Sequence, residues 1–452
     1  VFDSDRRRRR MLGLLAIAML SLAIYGSFLP MRYVPTSWAE ATAEFKSLPW
    51  FHLGIYRRAD WVANGLIILL PSFLMSGAID WGRSTRWPLM LFSPLVVVVC
   101  CAVAVAIEYC QAFFPIRTQS LNDLSAGCVG ALLGPLVYLV LGRPFASAVF
   151  KLRDAEWSQK LRWLIVVFVF LNLAYAVMPL DLMLQPSDYV TKYHAGRIIL
   201  LPSMNGLDSP DLMMVLFLSL IRGAILAAMF SVCCGTRTAV LGTIAFALTN
   251  EVLQIPVFTR FASAWEVIAA TAGIPVGIAG ARLVGKTKFL THAWFWISAG
   301  GLALVLITVG TLGRSTGWVE SAEAVQTAWG HFWDWPLAKY YFTSEFEAGS
   351  NVVAKLGLFA IVGFCFAVGV SKLTGAWRTV AIVWVAIAVV VTATFIEVMQ
   401  VYLKPHIADA SDILLYLTGA MAGWLAYQFV FGLETVGAER GWQNDGVAGA
   451  PG

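Results

Sequence analysis

Residues 107–123 read IEYCQAFFPIRTQSLND, and the same pattern returns as NEVLQIPVFTRFASAWE at 250–266 and IEVMQVYLKPHIADASD at 396–412. Counted from Glu108, Glu251 and Glu397, each copy has Gln at +3 (Gln111, Gln254, Gln400) and a basic or imidazole residue at +9 (Arg117, Arg260, His406). Each also has a carboxylate at +15 (Asp123, Glu266, Asp412) and glycines at +22 and +26 (Gly130 and Gly134, Gly273 and Gly277, Gly419 and Gly423). The three Glu anchors lie 143 and 146 residues apart. Six positions matched three times in a chain with 13% charged residues indicate an internal repeat.

The repeats sit in a strongly apolar chain. Of 452 residues, 59% are apolar, and the mean hydropathy is +0.74. Soluble domains carry about 25% charged residues, so the solvent for most of this chain is lipid. That composition excludes a secreted disulfide scaffold, an ordinary cytosolic enzyme and a nucleic-acid binder, whose phosphate-tracking groove needs clustered Lys and Arg. Cys100, Cys101, Cys110, Cys128, Cys233, Cys234 and Cys365 all fall in or at the ends of apolar runs, with no disulfide or zinc spacing. The five histidines are scattered, so neither metal nor cofactor is expected.

Crossing a hydrocarbon core of about 30 Å takes around 20 helical residues. Twelve stretches meet that length, near 11–29, 61–79, 88–107, 121–141, 161–180, 212–230, 238–256, 264–283, 292–312, 353–370, 379–401 and 413–431. The first follows Arg6 to Arg10 and has no A-x-A site after it, so it reads as a retained span rather than a signal peptide. With that Arg run in the cytoplasm, inner segments collect 19 Lys and Arg against 8 Asp and Glu, and outer segments 12 against 19. The bias puts both termini in the cytoplasm. Long outer loops at 30–60, 181–211 and 313–352 each follow the first of four spans. The expected architecture is an all-α integral membrane protein of three tandem four-helix units, at 1–150, 151–285 and 286–432, followed by a disordered tail at 433–452.

Glu and Gln at i, i+3 share a helix face and occupy the last turns of the third helix in each unit. The helix dipole disfavours a carboxylate there, so it needs a cation or a role, and the +9 base across the short loop is the natural partner. Two readings stay open for this trio: a buried ion pair locking two helices, or a binding or catalytic site, since an ionisable group at membrane depth is costly. Ser120, Ser263 and Asp409 precede the +15 carboxylates by three residues, the spacing of a capping box on the fourth helix. The paired glycines allow close backbone packing in lipid. On the second helix, Asp60 and Asn64 in unit one match Asn351 and Lys355 in unit three, whereas unit two offers only Asp211, with Val215 at the Asn64 position. Arg222, mid-span, is within a side chain's stretch of Glu251.

The segments ADWVANGLIILLPSFLMSG and IEYCQAFFPIRTQSLNDLSAGCVGALLG, with Asp-x-x-x-Asn opening one span, I-E-x-x-Q closing another, a loop Arg and an Asp opening a Gly-rich span, resemble the VanZ-like family. The resemblance covers essentially all of unit one and recurs more faintly in the other two. Family members typically continue as Asp-x-x-x-Asn-x-x-Gly in the fourth helix, and here the Asn position holds Gly127, Ala270 and Tyr416. The resemblance implies a membrane location and, through the family's namesake, low-level tolerance of the glycopeptide teicoplanin.

The first functional reading is a cell-envelope protein of the bacterial inner membrane whose outer polar clusters bind a lipid, glycan or glycopeptide headgroup. Unit one is the fullest set, with Asp60, Asn64, Glu108, Gln111, Arg117 and Asp123 as ligand-binding candidates. Membrane lipids and a lipid-linked glycan or glycopeptide are the expected partners. A second reading is a membrane enzyme acting on a lipid-linked substrate, with Glu108 as base and Arg117 holding a phosphate. A third is a transporter built of parallel repeats.

Overall fold

The computed structural model describes residues 2–145, 147, 155–199, 210–286, 291–313, 315–343 and 345–445. They are almost wholly helical. Strands occur among them only as two-residue pairs, Ile198–Ile199 parallel to Ala262–Ser263 and Gly317–Trp318 antiparallel to Leu403–Lys404. Eleven helices among the described residues are long and apolar enough to cross a membrane, so the protein is a multi-pass membrane protein. The expected span at 238–256 corresponds to the helix Thr236–Gln254, which has 19 residues but falls outside the eleven. Its Arg237, Asn250, Glu251 and Gln254 dilute an otherwise apolar run.

The chain forms two compact units, Val1–Phe28 with Arg32–Lys286 and Leu29–Met31 with Thr287–Gly452. The first holds the long helices Phe2–Phe28, Ile55–Asp80, Trp87–Cys110 and Leu121–Val137, then Trp157–Val177, Pro210–Cys234, Thr236–Gln254 and Ala264–Lys286. The second holds Ala293–Leu312, Glu345–Ser371, Gly375–Tyr402 and Ala410–Asp445. Successive sets of four of these helices each carry one copy of the sequence repeat, while the compact units number two and hold eight and four of them. The last helix runs through much of the segment expected to be disordered, to Asp445. No proline interrupts it before Pro451, and Glu434, Ala438, Glu439 and Arg440 are tolerated in a helix. Residues 446–452 lie outside the described residues, as do 200–209 of the second long loop.

Within each repeat the second and fourth helices make the closest approach. A Cβ on Gly130 would overlap the carbonyl oxygen of Gly65, one on Gly273 that of Leu220, and one on Gly419 that of Leu356. One turn further, Gly134 abuts the Ser72 side chain, Gly277 the Ala224 carbonyl and Gly423 the Ala360 carbonyl. Lipid provides no hydrophobic drive for helix association, so close van der Waals contact of backbones is what these glycines supply. These contacts also fix a common register, in which Gly65, Leu220 and Leu356 are equivalent. Each apolar core lies beside this seam, for example Ile68, Val96, Cys100 and Ala131 in the first repeat and Phe359, Val362, Ala393 and Ile396 in the third.

Each long loop carries a short helix, Trp38–Lys46, Pro186–His194 and Ala322–Phe332. Local sequence starts them. Ser37 and Glu40 form a full capping box, Pro186 opens the second, and Ser321 Oγ accepts the Ala324 N–H at 3.1 Å. All three settle at the C-terminal end of a third helix. Trp38 stacks on Tyr109 at 6.2 Å, Lys192 reaches the carbonyls that end Thr236–Gln254, and Trp329 meets Tyr402 edge-on at 6.4 Å. The polar end of each third helix is thereby covered by a helix from its own repeat.

Candidate functional site

The three Glu anchors share one structural duty. Glu108 Oε2 accepts the backbone N–H of Ser120 at 3.2 Å, Glu251 Oε2 that of Ser263 at 2.8 Å, and Glu397 Oε2 that of Asp409 at 3.2 Å. In each case the donor lies twelve residues on and immediately precedes the fourth helix, so the carboxylate gains the positive end of that helix's dipole. Ser120 Oγ in turn caps Leu121–Val137 by accepting the Asp123 N–H at 3.1 Å, and Asp409 Oδ1 takes the Ser411 N–H at 2.8 Å. All three Glu side chains are buried.

The second helix contributes one polar group to each +15 carboxylate. Asn64 Nδ2 donates to Asp123 Oδ1 at 2.6 Å, Ser219 Oγ to Glu266 Oε2 at 2.9 Å, and Lys355 Nζ to Asp412 Oδ2. Each of these residues directly precedes the residue that meets the first glycine, so they occupy one register position. The second repeat's counterpart of Asn64 is therefore Ser219 and not Val215, which lies one turn earlier and is exposed. Counting from the outer end of the helix missed it because packing register, not the helix start, sets the position. Arg222 pairs with Glu266 at 3.2 Å and also donates to Ser219 Oγ at 2.7 Å, so its ion-pair partner is Glu266 rather than Glu251.

In the first repeat these residues open onto a cavity of about 70 Å³ lined by Asn64, Glu108, Gln111, Arg117 and Asp123, with Ser27, Thr118 and Gly127 among its other walls. Gln111 is 5% exposed. Its Nε2 donates to Ser27 O at 3.1 Å, and its Oε1 has no donor among the described residues. Asp60 is half-buried on the same helix as Asn64, outside the cavity lining. Ser27 on the first helix carried no signal in sequence, because only the tertiary fold brings it to Gln111.

In the other repeats the matching positions are held by other contacts. In the second, Arg260 donates from Nε to Met178 O and from Nη2 to Tyr175 O, both at 2.7 Å, and lies over the Tyr175 ring. Gln254 is buried and its carbonyl accepts from Lys192 Nζ at 2.7 Å, alongside those of Ile255 at 2.9 Å and Val257 at 2.5 Å. Burial pulls the Lys192 ammonium down to about 8 against the opposing charge of Asp181, and burial raises Asp181 in turn. In the third, Lys339 and Lys355 both bond Asp412, Tyr340 donates to Asp412 Oδ1 at 2.8 Å, and Tyr416 donates to Glu397 Oε1 at 3.1 Å. Burial near these carboxylates raises the Tyr340 phenol above its ordinary range, which keeps it a donor. Gln400 is buried and His406 half-buried in the loop beyond Lys404. No three His, Cys, Asp or Glu side chains converge as a metal set among the described residues.

Comparison with known proteins gives one finding. No curated protein and no solved structure matches the chain. The family model VanZ/LLP1 matches residues 13–142 and again residues 301–431. The first match contains the cavity, from Ser27 to Gly127, and the second contains the Lys339, Lys355, Glu397 and Asp412 cluster. With two copies of that model spanning more than half of its length, the chain belongs to the VanZ/LLP1 family.

Proposed function

We propose that this protein is a cell-envelope component of the bacterial inner membrane that binds the headgroup of a lipid, a lipid-linked glycan or a glycopeptide in its first repeat, and so alters tolerance of teicoplanin-like antibiotics. The observation that carries the reading is the convergence of Asn64, Glu108, Gln111, Arg117 and Asp123 on one cavity. Polar side chains around a small cavity, with Glu108 and Gln111 buried and the others half-buried, fit recognition of a polar group better than bulk packing. The reading includes three four-helix repeats, with Thr236–Gln254 as a twelfth crossing, both termini in the cytoplasm and the cavity on the outer side. The middle repeat lies between the two family matches and keeps the same Glu, +15 carboxylate and glycine geometry, which supports its inclusion.

Glu108→Gln tests the reading. It should abolish the tolerance phenotype at unchanged protein level in the membrane, while Glu251→Gln and Glu397→Gln leave the phenotype nearly intact. A parallel fall in protein level for all three would reduce the clusters to structural bonds, since an uncompensated buried partner costs roughly 3 to 5 kcal/mol.

A further inference from the structure

Aligned by the glycine contacts, the three repeats differ in what each carboxylate pair is matched with. In the second repeat Arg222 bonds Glu266 directly, while Arg260 donates to the Met178 and Tyr175 carbonyls. In the third, Glu397 and Asp412 stand with Lys339 and Lys355, both bonded to Asp412. In the first, Glu108 and Asp123 share their cavity with a single cation among the described residues, Arg117. The position that holds Lys355 is the neutral Asn64. The Arg222 position is Ile67, a cavity wall, and the Tyr416 position is Gly127, another wall. Thus the third repeat supplies a hydroxyl to Glu397 Oε1 and two ammonium groups to Asp412, where the first repeat has Gly127 in the cavity wall and meets Asp123 with the neutral donors Asn64 and Ser120. A second observation marks the cavity as a site: Gln111, 5% exposed, is one of its lining residues, and the acceptor Oε1 of that residue has no donor among the described residues.

We infer that the first-repeat cavity takes a primary ammonium group from outside the chain, seated where Lys355 Nζ sits in the third repeat. The ammonium's three N–H groups donate to Asp123, Glu108 and Gln111 Oε1, and they supply the second cation that the third repeat builds in with its two lysines. Arg117, on the wall, takes an anionic neighbour on the same ligand, so a zwitterionic headgroup of the phosphoethanolamine kind fits the pair. A quaternary choline head lacks the N–H donors, so it forfeits these bonds. The inference rests on the headgroup-binding reading of the same cavity.

The test uses the full chain in nanodiscs, with native mass spectrometry reading which lipid is retained from equal amounts of phosphatidylethanolamine, phosphatidylcholine and phosphatidylglycerol. Wild type should retain phosphatidylethanolamine over phosphatidylcholine by about tenfold or more, the worth of one charge-assisted hydrogen bond. Asn64→Lys, which installs the third repeat's cation, should lose that preference without a lower melting temperature. Should that variant not fold, Gln111→Leu removes only one acceptor and should weaken the preference by about tenfold. Free phosphoethanolamine separates the sources of the ammonium. Displacement of the lipid by it identifies the head alone as sufficient, and its failure to compete while the preference persists identifies a membrane lipid; both support the inference. Preference for phosphatidylglycerol that responds to Glu108→Gln overturns the ammonium assignment and leaves headgroup binding standing. Retention of all three lipids alike, unaffected by any first-repeat substitution, overturns both.

Discussion

Asn64 Nδ2 meets Asp123 Oδ1 at 2.6 Å, a bond that ties the second helix of the first repeat to the start of the fourth at the wall of the cavity. Ser120 Oγ donates to the other oxygen, Oδ2, at 2.7 Å, so Asp123 is held by neutral donors on both sides. Hydrogen bonds to charged groups contribute about 1.5 to 3 kcal/mol each. Asn64→Ala should lower the melting temperature in detergent, and Asn64→Asp should lower it further, because it puts a second carboxylate against the first. Equal stability of the two variants would show that the bond carries no weight.

Close helix approach predicts a contrast between glycines of one kind of helix. Gly130→Ala should destabilise, since its Cβ would press on the Gly65 carbonyl and overpacking costs typically about 1 to 3 kcal/mol. Gly280→Ala, where nothing lies within 4 Å, should be neutral or slightly stabilising. Differential scanning fluorimetry in detergent reads both, and a neutral Gly130→Ala would show that the two helices stand further apart.

Orientation is open to cysteine labelling in a background without the native cysteines. Gln119 is buried and unsuited to the purpose, whereas Glu44 and Ser84 are exposed at opposite ends of the second helix's neighbourhood. With both termini cytoplasmic, an impermeant thiol reagent on intact cells should label Glu44→Cys and spare Ser84→Cys. The reverse pattern would invert the topology.

Lys192 gives a pH dependence whose sign follows from its lowered pKa. The folded chain releases this proton near 8, while the unfolded chain holds it to 10.5. Burying the charged form therefore costs stability below 8, and the cost is relieved as pH rises from there toward 10.5. Lys192→Met lacks this term. The melting temperature of wild type relative to Lys192→Met should rise across that interval, and a flat difference would mean that the three carbonyl acceptors hold the ammonium charged throughout.

Much of this was legible in the chain itself. Hydropathy read the membrane location and twelve spans, eleven of which recur as long apolar helices, because transfer of apolar helices into lipid depends on composition over a window and not on neighbours. Thr236–Gln254 fell outside on composition, since the polar residues that serve the repeat also dilute its hydropathy. The Glu, +15 carboxylate and glycine positions were readable because they lie at fixed separations within one helix-loop-helix segment, where local geometry determines who meets whom. What the sequence could not decide was the partner of each group across the bundle. Ser219 rather than Val215, Arg222 on Glu266, Lys339 and Lys355 on Asp412, and Ser27 under Gln111 all depend on the register of one helix against another. That register is set by where two backbones touch at a glycine, an interaction between segments tens of residues apart that leaves no fixed spacing in the chain.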